Sequence, residues 1–329
     1  MLFDPEYRLV AKRTVQIMKT FLELIKTAVS SGADEIFLVA GQPVMLRSGA
    51  AYRRLDDAAL APDDTAGLVR QAYEMARRQI SMLEKARDDQ FALSLTGISR
   101  IRVTSFFQRN SYAMAARVIP FGIPSPEDVR IPESVMALSA LKDGLVLFCG
   151  PSGCGKTTTA TCLINRINET RSCQILTLES PIEYLFRNQQ SFIIQRELML
   201  DTADLASGLL SSRRLSPDVL FIGDLNIGTA ISEVLEKAAG SCLVAGTLSA
   251  RSPASAILSL LHSFSGEWRQ QMAVLLSQVL RAVVFEKLVS EGGERTPVFA
   301  LTEPDAALRS AIRSDRTEAI YGALDAQLT

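Results

Sequence analysis

Apolar positions are spaced in two different ways along this chain, and the spacing changes near residue 120. Before that point the pattern is amphipathic. Val15, Met18, Phe21, Leu22, Leu24 and Ile25 recur at helical spacing, which predicts a helix over 6–31. Short alternating runs follow at 35–40 (EIFLVA) and 44–48 (VMLRS), separated by a Gly41-Gln42-Pro43 turn. A second helix is predicted over 63–86. FALSL (91–95), the Thr96-Gly97 turn and SRIRVTSFFQ (99–108) give a hairpin signal, and YAMAARVI (112–119) a further strand. Together these make a small α+β domain.

The segment 120–132, PFGIPSPEDVRIP, holds four prolines, which break helix and sheet alike and mark a domain boundary of some stiffness. Beyond it the apolar runs become continuous: LVLFC (145–149), QILTL (174–178), DVLFI (218–222) and CLVAG (242–246), with helical segments between them. Uninterrupted apolar strands alternating with helices indicate a sheet covered on both faces, hence an α/β domain. No internal repeat or low-complexity tract interrupts the chain.

Composition narrows the picture. The chain has 329 residues, 47% hydrophobic and 22% charged, which suits about two domains, and its net charge of −1 supplies no bulk field for nucleic acid. Its five cysteines form no CxxC pair, which argues against zinc and disulfides and for a reducing, cytoplasmic setting. No signal peptide is read at the N-terminus, and no stretch approaches the ~20 apolar residues of a membrane span, so any membrane role is expected to run through partners.

The chemistry is concentrated in Gly150-Pro151-Ser152-Gly153-Cys154-Gly155-Lys156-Thr157-Thr158, which meets every fixed position of GxxxxGK[ST] between a buried strand and a helix. Glycines let backbone amides turn onto phosphates, and the helix N-terminus adds its positive dipole end. Lys156 is placed for the β/γ-phosphates of ATP and Thr157 for Mg²⁺. DVLFIGD (218–224) is the second element: Asp224, after the strand, is placed to order Mg²⁺ or the attacking water, whereas Asp218 precedes it. His262, the single histidine, stands beside Leu260 and Leu261 without a polar constellation and reads as structural.

These motifs, in this order, resemble the secretion and pilus ATPases, and within them the PilT-like type IV pilus retraction ATPases. The resemblance runs from about Phe21 to Leu324. It is carried by GADEIFLVAGQPVMLR (32–47), GISRIRVTSFFQRN…ARVIP (97–120), the phosphate loop, ILTLESPIEY (175–184), QREL (195–198), SPDVLFIGD (216–224), GTLSA (246–250) and ALRSAIRSD (307–315). It implies an N-terminal extension over 1–20, a PAS-like domain over 21–119, the linker 120–132 and a RecA-like ATP-binding domain over 133–329. It implies Glu179 as an acidic-box residue acting in catalysis and on Mg²⁺ with Thr157 and Asp224. It also implies Arg102, Arg109 and Arg117 as phosphate-reaching arginines, a role that suits a guanidinium. A homo-hexamer, or co-assembly with a retraction ATPase, is expected beneath an inner-membrane pilus platform protein.

The departures from the family pattern fall in the chemistry. Asp224 stands where the family has the glutamate base, and Asn226 and Ile227 replace the arginine and aspartate after it. Ser241 and Ser249 replace the two histidines of the histidine box, Ser180 an aspartate, and Glu286 a glutamine. The family's final helical segments extend past the position of Thr329. The nucleotide-holding groups are intact and the water-activating groups altered. Two readings follow: an ATP-driven retraction motor, or a hydrolysis-deficient ATP-binding regulator or structural subunit acting with an intact retraction ATPase.

Overall fold

In the computed structural model, residues 20–49, 51–119, 122–225, 230–291 and 294–328 are described. The chain separates into two compact units, with the boundary between residues 121 and 122. Of the helix expected over 6–31, the described part is α1 (Phe21–Ser30); residues 6–19 lie outside the described residues. Its start is fixed by a reciprocal cap: Thr20 Oγ1 accepts from the Glu23 amide at 3.2 Å, and Glu23 accepts from the Thr20 amide at 2.7 Å.

The first unit is a six-stranded antiparallel sheet of β1 (Glu35–Val39), β2 (Pro43–Ser48), β3 (Ala51–Ala59), β4 (Asp88–Leu95), β5 (Ser99–Gln108) and β6 (Ser111–Ile119), in the order β3-β2-β1-β6-β5-β4. Burial alternates along β5 as the sequence alternates, so one face packs against α1 and α2 (Pro62–Met75). The expected helix over 63–86 is two helices. Helix α2 ends at Met75, Arg77 takes a left-handed turn (φ 53°), and α3 (Ser81–Ala86) restarts the chain. The turn sets Arg78 against Asp89 through two hydrogen bonds of 2.8 and 2.7 Å, a long-range pairing that local periodicity does not encode.

The second unit carries a seven-stranded sheet. Its strands are β7 (Gly144–Gly150), β8 (Gln174–Glu179), β9 (Phe192–Glu197), β10 (Val219–Ile222), β11 (Leu243–Ser249), β12 (Leu280–Glu291) and β13 (Glu294–Thr302), in the order β13-β12-β7-β11-β10-β8-β9. All neighbours are parallel except the β12–β13 pair. Every residue of β7 is buried, because successive side chains enter different cores. Val146 and Phe148 meet Leu163, Ile164 and Ile167 of α5 (Lys156–Thr170). Leu145 and Leu147 join the cluster formed by α6 (Leu205–Leu215), α7 (Ile231–Ala239), α8 (Pro253–His262), α9 (Gly266–Val279), α10 (Ala306–Arg313) and α11 (Thr317–Leu328).

The proline-rich segment is divided by the fold. Ile123, Val129 and Ile131 pack on the second unit's core, and the Ile131 amide donates to the Pro126 carbonyl at 2.8 Å. The stretch from Gly122 onward therefore belongs to the second unit.

Candidate functional site

Strands β12, β7, β11, β10 and β8 run in one direction and end at one edge of the sheet. With strands ~4.8 Å apart, the end of β10 lies about 10 Å from the phosphate loop at the end of β7. This is the edge where open α/β sheets gather ligands.

Gly150 ends β7 and begins the loop, and Lys156 begins α5. Gly150, Gly153 and Gly155 take φ values of 153°, 76° and 123°. Two of them are also required by close packing. A Cβ on Gly150 would overlap the backbone oxygen of Glu286, and one on Gly155 would overlap the Glu286 carboxylate. The first-turn amides of α5 receive no side-chain cap, since their cap residue is Gly155. Uncapped amides at a helix N-terminus are donors suited to phosphate. The Lys156 ammonium bridges the loop, donating to the carbonyls of Gly150 (3.1 Å) and Pro151 (2.8 Å). Thr157 lies half-buried in the first turn, and the Thr158 hydroxyl meets that of Tyr184 at 3.0 Å.

The two candidate acids stand at the ends of the adjacent strands β8 and β10, at the same end of the sheet as this loop. Glu179 ends β8, is buried, and accepts from the Thr177 hydroxyl at 2.7 Å. Gly223 passes so near that a Cβ there would stand 3.3 Å from the Glu179 Cα, and Asp224, half-buried, follows it. Thr247 secures this crossing by donating to the Gly223 carbonyl at 2.5 Å. Among the described residues no three His, Cys, Asp or Glu side chains group to hold a metal ion alone. A hydroxyl and one or two carboxylates suit Mg²⁺, which keeps several waters and binds through substrate phosphates. Asn226 and Ile227 lie outside the described residues.

Other expected residues are set apart. Ser249 lies beside Gly150 at the end of β11, but Ser241 precedes that strand at the opposite edge of the sheet. At ~3.3 Å per residue the two serines are about 25 Å apart, so within one chain they do not form one box. Asp218 caps the same far edge, accepting from the Gln174 amide at 2.8 Å. His262 ends α8 exposed to solvent. In the first unit, Arg102 and Arg117 are register partners on β5 and β6, and Arg102 donates to Gln90 at 3.0 Å. Arg109 sits at the far tip of that hairpin, about 23 Å along the strand from Arg102 at ~3.3 Å per residue.

Glu286 packs against the phosphate loop, a place that the motifs did not reveal. It is 4% exposed, and its Oε2 accepts from the Thr159 hydroxyl at 2.8 Å across a separation of 127 residues. Burial pushes its carboxyl up to about 7, against the hydrogen bond from Thr159 and the charge of Lys156. Desolvation likewise raises the thiols of Cys149, to about 12, and of Cys154. A cavity of about 330 Å³ adjoins the loop here, lined in part by Arg130, Thr158, Thr159, Glu286, Leu288 and Arg295.

Residues 130–315 match the family model described as type II/IV secretion system protein. The chain is 30% identical over 304 residues to the type IV pilus retraction ATPase PilT of Pseudomonas aeruginosa, covering 92% of this chain and 88% of that one. It is 31% identical over 270 residues to the type IV pilus ATPase PilU of the same organism, covering 82% and 70%. Its fold matches the crystal structure of the pilus retraction motor PilT with bound ADP at a TM-score of 0.81 and 32% identity, covering 93% of this chain and 89% of that one.

Proposed function

Since the chain belongs to the type II/IV secretion system protein family, we propose that it is an ATP-binding motor subunit of a type IV pilus machine, supporting pilus retraction and twitching motility. The observation that supports this reading is that the phosphate loop, Glu179 and Asp224 all follow or end strands at the same end of one parallel sheet.

The residues divide the work. The backbone N–H groups of 152–158 and the Lys156 ammonium bind the phosphates, the lysine leaving its two carbonyl partners to do so. Thr157, Glu179 and Asp224 would hold Mg²⁺, which neutralises charge on the β- and γ-phosphate oxygens. Asp224 orients the attacking water and accepts its proton; Glu179, fixed by Thr177, supports it from the neighbouring strand. Arg102 and Arg117 are the guanidinium pair suited to charge on the transferring phosphoryl group. Arg109, a strand's length away at the hairpin tip, is proposed to act on phosphate apart from that pair. Function in a homo-hexamer, or alongside a retraction ATPase, at an inner-membrane platform protein completes the proposal. Among the described residues no helix is long and apolar enough to cross a membrane.

The test is steady-state phosphate release at saturating MgATP, with binding measured separately by calorimetry. The wild type is expected to turn over. Lys156→Ala is expected to weaken binding at least about tenfold, through loss of the charge facing the phosphates. Binding without turnover in the wild type would replace the motor with the regulatory reading; no binding would remove both.

A further inference from the structure

The scheme above gives no task to the ionisable group packed under the phosphate loop. One oxygen of Glu286 accepts from Thr159, in the first turns of α5. The other lies against Gly155, in the space that a Cβ on that residue would take. The register of β12 against β7, with Phe285 opposite Cys149, fixes it there.

The groups around it come from several elements. Lys156 of α5 acts on it as a cation. Cys154 of the loop and Cys162 of α5 face it as thiols, each raised by burial and neutral at ordinary pH. Arg130 and Asp128, before α4 (Glu133–Met136), and Arg295 of β13 line the same cavity, and Glu127 acts on Cys162. The charge that holds Glu286 ionised is thus the same ammonium that the loop offers to phosphate.

We propose that Glu286 is a positioning residue of the phosphate loop whose carboxylate takes up a proton when nucleotide binds, so that nucleotide capture is coupled to proton uptake. This rests on the nucleotide-binding reading above. Arriving phosphates bring negative charge to the loop and engage Lys156. Both changes disfavour a second, buried negative charge. The proton comes from solvent and adds to one carboxylate oxygen; no other bond forms or breaks. Burial has already brought this carboxyl to about 7, so the uptake falls in the neutral range. Affinity for nucleotide therefore falls as pH rises through neutrality, by about tenfold for each unit by which phosphate raises the carboxyl.

The experiment is calorimetric titration of the full chain with MgADP between pH 6.5 and 8.5, each pH in two buffers of different ionisation enthalpy. It is run on the wild type and on Glu286→Gln, which keeps an acceptor for Thr159 and cannot ionise. Comparing the two removes the nucleotide's own ionisation. The wild type should take up more protons at pH 7.5 and lose affinity more steeply with pH than the variant. Thr159→Val, which removes a hydrogen bond that lowers the carboxyl, should move the wild-type transition to higher pH. Equal proton uptake and parallel pH profiles in wild type and Glu286→Gln, or no displacement in Thr159→Val should the glutamine variant not fold, would overturn the coupling while leaving the nucleotide site intact. Failure of the wild type to bind MgADP at every pH would overturn the site as well.

Discussion

At the residue scale, the groups that are contiguous in sequence and those that are not behave differently. Lys156 and Thr157 were candidates from the sequence alone because the motif that holds them is one short segment whose backbone would supply most of the donors. Glu286 was visible only as an odd residue in its segment, since its place beneath Gly155 depends on strand pairing. Its burial has a consequence for stability. The folded carboxyl, at about 7 against an ordinary 4.5, holds its proton more tightly than the unfolded one. Its favourable contribution is therefore complete below the unfolded value and is lost as pH rises through the folded one, a difference of about 3 kcal/mol. Thermal denaturation of the nucleotide-free protein should show Glu286→Gln more stable than wild type at pH 8, with a much smaller gain at pH 5. An equal gain at both would mean that ionisation is not the cause. Asp224 and Ser249 carry a second prediction. Asp224 is one methylene shorter than a glutamate, and a ~1 Å misplacement of a reacting group can cost about 10²-fold. Ser249 is exposed beside Gly150, with room for a larger side chain. Wild-type turnover is expected to be slow, and Asp224→Glu with Ser249→His to raise kcat with little change in ATP affinity. Phosphate-release kinetics decide it; rapid turnover by the wild type would refute the deficit.

At the element scale, the strands with a clean pattern were found and those without one were not. The alternation along 99–108 and the continuous apolar runs at 145–149 and 174–178 correspond to β5, β7 and β8. β3 was not read because its side chains are mostly exposed and it includes Arg53, Arg54, Asp56 and Asp57, as suits a charged edge strand. β12 and β13 were missed because much of the hairpin pairs only with itself, Lys287–Glu291 against Glu294–Val298, with charged residues on both arms. The break between α2 and α3 had no glycine or proline to announce it. It is held instead by the Arg78–Asp89 pair, whose side chains are 5% and 10% exposed. Asp89→Ala would leave Arg78 buried without that partner and the Tyr73 hydroxyl without one of its two. A loss of about 3–5 kcal/mol is expected in chemical denaturation. A loss below 1 kcal/mol would show that the pair does not hold the turn.

At the scale of the whole molecule, the prediction concerns assembly. Light scattering with MgATP is expected to give six times the mass of the monomer; a monomer at all concentrations and in all nucleotide states would reject the ring. The sequence by itself determined the division into an amphipathic α+β part and a buried α/β part. It did so because alternation and continuous apolar runs follow directly from how many faces of a sheet are covered. It also determined the phosphate loop, whose chemistry is written in nine adjacent residues. Only the tertiary structure decided which strand ends stand side by side. Glu179 comes beside Gly223, the residue before Asp224, because β8 and β10 pair in parallel, while Ser241 and Ser249 are driven to opposite edges by the strand between them. It alone placed Glu286 under the loop, through the pairing of β12 with β7. Strand order is set by long-range packing and crossover connections, and no local pattern of side chains records it.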